Sequence, residues 1–150
     1  DLARRIEHRE WTSFLLHNLG ITARKQRNYS LSEQYSQESL VLAQKIGIPP
    51  IICYILNEYG NLHLDQDLPD LAERDFNEVL ANAPEGGQDF VAFAQYGLAR
   101  VAVINRRLDE ARQLGEQSVA TLESMGRREA REVKNWLNSL PVNTNKDGEE

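Results

Sequence analysis

Apolar residues recur at helical spacing along the whole chain. Trp11, Leu15 and Leu19 follow one another every four residues, with Ile21 beyond, and a break falls at Arg27-Asn28. A second run carries Tyr29, Leu31, Tyr35, Leu40 and Ala43 and ends at Gly47, which can adopt the left-handed conformation that closes a helix. Pro49 and Pro50 cannot continue that helix but can begin the next, whose apolar face is Ile51, Ile52, Ile55, Leu56, Tyr59 and Leu62. After a turn at Asp67-Leu68-Pro69-Asp70 come Leu71, Ala72, Phe76, Val79 and Leu80, and Pro84-Glu85-Gly86-Gly87 marks a loop. A third pair of helices is predicted over about 88–105 and 108–124. A last helix, over about 127–140, sets Ala130, Val133, Trp136 and Leu137 against a charged side made of Arg127, Arg128, Glu129, Arg131, Glu132 and Lys134, and Pro141 stops it. No segment alternates apolar and polar residues as a half-buried strand does, so seven helices and an all-α fold are expected.

The same pattern is written three times. LHNLGITARKQRNYSLSEQYSQESLVLA (residues 16–43) is followed by LNEYGNLHLDQDLPDLAERDFNEVLANA (56–83) and QYGLARVAVINRRLDEARQLGEQSVATL (95–122), at spacings of 40 and 39. A period of roughly 20–50 residues marks a repeat architecture, in which one unit cannot bury its apolar face alone. Such proteins bind other macromolecules along an extended surface more often than they carry a catalytic pocket.

Within each copy a small residue late in the first helix is followed by a residue after the turn, bulky in the first and third copies and proline in the second, and by spaced positions on the second helix. The first copy gives Leu19-Gly20, Ala23, Tyr29, Ser32, Ser36 and Ser39. The second gives Tyr59-Gly60, His63, Pro69, Ala72, Phe76 and Val79, and the third Leu98-Ala99, Ala102, Leu108, Ala111, Gly115 and Ser118. This pattern resembles the tetratricopeptide repeat (TPR), in the long-repeat form found in bacterial signalling ATPases and in kinesin light chain. The resemblance covers about residues 10–140. It implies an α-solenoid: three helical hairpins (about 8–47, 48–86 and 87–125) stacked in a right-handed superhelix, with a capping helix over 127–140. The domain would span 1–141 and leave 142–150 as a disordered tail. Gly20, Gly60 and Ala99 would admit the second helix of the same pair, and Phe76 would fill the space between neighbouring pairs. Ser36 and Gly115 stand where the family has a large residue, so the first and third repeats are expected to pack less tightly.

In this family the first helices line the concave face. The resemblance therefore points to Phe14, His17, Ile21 and Arg24, to Tyr54, Asn57, Asn61 and Leu64, and to Tyr96, Arg100 and Val103, with Phe93 beside them. Rings bury area, while amides and guanidinium groups hold carbonyls or carboxylates, a combination suited to a peptide or helix. Phe14, Phe93 and Tyr96 serve equally well as packing between repeats. Co-chaperone members of the family grip a C-terminal carboxylate, and Glu58 at a corresponding place would repel one.

Charge and chemistry narrow the function. The chain is 41% hydrophobic and 27% charged, with a net charge of −6. Residues 1–30 carry a net +3, residues 31–90 a net −9 and residues 91–140 a net +2. That acidic middle opposes nucleic-acid binding, which needs clustered Lys and Arg. No apolar run is long enough to cross a membrane. Cys53, the single cysteine, fits a reducing, cytoplasmic setting, and the start at Asp1 suggests a segment of a longer protein. His8, His17 and His63 have no metal-ligand spacing, Gly86-Gly87 lacks the lysine of a phosphate loop, and Ser39 and Ser118 have no base placed near them. Neither catalysis, cofactor nor metal is expected. The function expected is protein–protein interaction, as a scaffold or sensor. Homo-oligomeric self-association, with basic ends on an acidic middle, is one alternative. A regulatory accessory domain of a larger nucleotide-binding signalling protein is another.

Overall fold

A computed structural model describes residues 1–142. Among these the regular structure is all helical: α1 (Leu2–Lys25), α2 (Tyr29–Ile46), α3 (Pro49–Asp65), α4 (Pro69–Asn82), α5 (Gln88–Ile104), α6 (Leu108–Ser124) and α7 (Ala130–Ser139). The expectation of a disordered tail falls, apart from the exposed Val142, outside the described residues. The last helix begins three residues later than its charge pattern suggested, after a turn over Arg127–Glu129.

Each helix packs on its neighbours in the chain, and α3 also touches α1 and α5. The helices pair as α1–α2, α3–α4 and α5–α6, with the first members side by side and α7 packed against α6 and α5. This arrangement is compatible with an α-helical repeat fold.

The three hairpins are closed by the same turn. Arg27, Asp67 and Arg106 each take a left-handed backbone with φ of 60°. Beside them the amides of Asn28, Leu68 and Arg107 donate to the carbonyls of Ala23, His63 and Ala102 at 2.8–2.9 Å. These six-residue bonds satisfy carbonyls that a helix end leaves open. Inside the hairpins a second bond recurs at a fixed offset of 26 residues. Ser39 Oγ donates to Ser13 O at 2.7 Å, Cys53 Sγ approaches Val79 O at 3.9 Å, and Ser118 Oγ donates to Ala92 O at 2.7 Å. Ser32, Ser39 and Ser118 of the sequence pattern are thus cross-hairpin hydrogen bonders that occupy little volume, whereas the buried Ser36 Oγ has no partner.

Size differences between hairpins are matched by their neighbours. Gly20 faces Ser36, so a small pair closes the first hairpin without a void. Phe76 is wholly buried and lies against both Gly60 of α3 and Gly97 of α5. Gly115 receives Leu137 and Trp136 from α7. Serine and glycine in the first and third hairpins thus stand against Gly20 and against the last helix.

The left-handed turns generate a test. A side chain with a Cβ in that conformation is strained by on the order of 1 kcal/mol, and glycine is not. Arg106→Gly should stabilise the fold by up to about 1 kcal/mol, raising the thermal midpoint by roughly 2–4 °C for a chain of this size. Differential scanning calorimetry reads this, and a lowered midpoint would contradict the turn geometry.

Candidate binding cleft

Five residues singled out in the sequence converge. Arg24, Asn57, Asn61, Tyr96 and Arg100, together with Phe93, line one cleft of about 240 Å³. They come from α1, α3 and α5, and the helical repeat of 3.6 residues puts Asn57 and Asn61, and Phe93, Tyr96 and Arg100, on one face of each helix. Glu129, Glu132 and Val133 complete the wall from the α7 side. These last three were missed because the sequence reading gave both glutamates to the solvated side of the cap. Their spacing carried the signal: 129, 132, 133 and 136 share a helix face, and Trp136 sits edge-on to Tyr96 at 5.4 Å.

The two arginines are held in different ways. Arg24 Nε donates to Glu58, and its Nη1 donates to Asp65 at 2.7 Å. Burial works against its charge, but these two carboxylates outweigh it and hold the guanidinium above the usual arginine pKa. Glu58, buried at 6% exposure, is thus neutralised by Arg24, and so does not act as the free repelling charge that the sequence suggested. Arg100 has only uncharged neighbours at contact distance among the described residues. Its Nη2 donates to Asn61 Oδ1 at 2.5 Å, and its guanidinium carbon lies 4.5 Å from the Tyr96 ring centroid and 5.9 Å from that of Phe76. Its Nε is sealed from solvent with no acceptor, and the sealed Asn57 Oδ1 has no donor. Burial lowers the pKa of Arg100 from the ordinary arginine value, although arginine keeps its proton throughout the accessible range. A half-buried cation with no carboxylate within ion-pair distance, on which Glu132 and Asp65 act only through their fields, is a feature to be accounted for by function.

The other residues expected on this face lie elsewhere. Phe14, His17 and Tyr54 form a string of rings that ends on Phe90, with centroids 6.5, 6.4 and 4.8 Å apart. Phe14 and Tyr54 remain about two-fifths exposed, whereas His17 is buried. Ile21 is half-buried and outside the cleft. Leu64 packs on the core around Phe76, and Val103 packs with Trp136 and Leu137 against Ala102, Ala111 and Leu140. His17 is buried, Leu64 and Val103 are half-buried, and none of the three lines the cleft. Each turns toward a neighbouring helix because the helices pack closely enough to bury part of the face they would have shared.

A second polar cluster stands apart. His63 Nδ1 and Asp75 Oδ2 meet at 2.5 Å between α3 and α4, and Tyr59 stacks on the imidazole at 5.8 Å. This pair ties one hairpin together. No group of three or more metal-ligating residues exists among the described residues, and none of their helices is long and apolar enough to cross a membrane. Compared with known protein families, curated proteins and solved structures, the chain matches none.

His17 makes the site's surroundings sensitive to acid. Burial lowers its pKa to about 4 from a usual 6.5. The unfolded chain then binds the proton at higher pH than the folded one does. The contribution of neutral His17 is complete above about pH 6.5 and is lost as pH falls toward 4. The full effect is on the order of 3 kcal/mol. Urea unfolding at several pH values should show a shallower acid slope for His17→Leu than for the parent, and equal slopes would contradict a buried neutral imidazole.

Proposed function

We propose that this chain is a tetratricopeptide-type α-solenoid, three hairpins in a right-handed superhelix capped by α7, and that it acts as a non-catalytic interaction module. Its ligand is a peptide or helix segment bound on the face made by α1, α3 and α5. The observation that carries this reading is the convergence of Arg24, Asn57, Asn61, Phe93, Tyr96 and Arg100, drawn from three hairpins, on one cleft. Rings, amides and a guanidinium group without a counter-ion are the groups that hold peptide backbone and charged side chains. The three matching turns and the recurring 26-residue bond support the repeat assignment.

Self-association has support of its own. Trp11, Leu15 and Leu19 stand 61, 60 and 47% exposed on α1, an unusual concentration of apolar surface. An assembly joining the basic first 30 residues to the acidic middle would lose mass as salt rises.

Site-directed photo-crosslinking separates the two readings. A benzophenone side chain at Glu129, on the cleft, should capture a polypeptide from lysate of the source cells. The same group at Glu38, exposed on α2, should capture little, and Arg100→Met should abolish capture at Glu129. Equal capture at both positions, or capture unaffected by Arg100→Met, would remove recognition from this face. A self-adduct from Glu38 alone would favour association between copies.

A further inference from the structure

Four charged side chains line the cleft, two of each sign: Arg24, Arg100, Glu129 and Glu132. Two of them are already paired. Arg24 lies between Glu58 and Asp65, and Glu129 meets Arg127 at 3.3 Å. Arg100 and Glu132 share the cleft, yet no ion pair within 4 Å engages either one among the described residues. They come from different helices, α5 and α7. Arg100 is held by Asn61 and by the Tyr96 ring, which line the cleft with it, and its sealed Nε has no acceptor.

This balance discriminates among ligands. A purely acidic segment would satisfy Arg100 but meet Glu132, and a purely basic one would satisfy Glu132 but meet Arg100. Each mismatch leaves a like-charge contact, less screened at the half-buried Arg100 than at the exposed Glu132. A ligand carrying both signs close together meets neither penalty. Resting on the peptide-binding reading above, we propose that the cleft is a receptor for two opposite charges. It takes a peptide segment in which an acidic and a basic side chain stand within about one helical turn. The carboxylate faces Arg100, whose planar guanidinium suits it, and the ammonium or guanidinium faces Glu132. The Phe93 and Tyr96 rings receive the aliphatic stems.

The probe is a phage-displayed library of random twelve-residue peptides, selected in parallel on the parent, Arg100→Met and Glu132→Gln. Recovered peptides are then synthesised and their affinities read by fluorescence anisotropy. Parent-selected peptides should pair an acid and a base within about four residues. Selection on Arg100→Met should lose the acid and keep the base, and selection on Glu132→Gln should do the reverse. A parent-selected peptide should bind each variant roughly tenfold or more weakly. Folding is a separate readout. Arg100→Met loses the Asn61 hydrogen bond and the cationic contact with the Tyr96 ring but keeps a long side chain in a half-buried place, so its thermal midpoint should fall by a few degrees at most, and Glu132→Gln alters an exposed residue. If Arg100→Met did unfold, Arg100→Lys replaces it, keeping the charge and losing the planar fork. Peptides that lack one charge yet depend on Arg100 would overturn the two-charge ligand and leave peptide binding on this face standing. No enrichment on the parent, or peptides indifferent to both substitutions, would overturn both.

Discussion

The structure depends on one side chain held between two helices that have no side chain there. Phe76 is wholly buried, and its ring lies against Gly60 in the middle of α3 and Gly97 in the middle of α5. Glycine in a helix interior costs up to about 1 kcal/mol relative to alanine. Two such glycines facing one ring are explained by contact: a Cβ at either would overlap the ring. The ring joins the second and third hairpins, because α4 contributes it while α3 and α5 receive it. At the other end Gly115 plays the receiving part for Leu137 of α7. Large and small residues alternate across the interfaces, as close packing requires.

The cleft follows from that approach. Asn61 is adjacent to Gly60, and Tyr96 and Arg100 flank Gly97 on α5. When Phe76 draws α3 and α5 together, the side chains next to the glycines meet, and the Arg100 guanidinium comes to lie above the Phe76 ring. The same interaction that closes the core therefore sets the distance between Asn61 and Arg100. Electrostatics then divides the site. Arg24, enclosed by Glu58 and Asp65, links α1 to α3, whereas Arg100 and Glu132 feel each other across the cleft without closing to an ion pair and give the cleft its polarity.

Much of the helical framework was legible because periodicity, proline and glycine act locally. Pro49 and Pro69 occupy first helical positions, Gly47 closes α2 with φ of 75°, and the bounds of α2 to α6 follow the apolar spacing closely, whereas α1 begins at Leu2, ahead of the expected start near residue 8. Phe76 was legible as a residue between pairs, since nothing else in its helix is as large. Gly97 was not, because a glycine two residues from the aligned Ala99 reads as an ordinary member of a helix until the ring opposite it is known. The site was half legible for a similar reason. Arg24, Asn57, Asn61, Tyr96 and Arg100 were reached from their positions on first helices. The burial of His17 and the partial burial of Leu64 and Val103 depend on how closely neighbours approach, and a single chain's periodicity does not contain that distance. Glu129 and Glu132 were hidden because the rotation of α7 about its own axis is fixed by Leu137 entering the space at Gly115.

A double-mutant cycle between Phe76 and Gly97, read by urea unfolding, tests the central interaction most directly. With Phe76 present, Gly97→Ala should destabilise by about 1–3 kcal/mol through overpacking, despite alanine's better helix propensity. In a Phe76→Leu background most of that cost should vanish, giving a coupling on the order of 1 kcal/mol or more. If the two substitutions add independently, or Gly97→Ala stabilises the parent, Phe76 is not the residue on which these helices close.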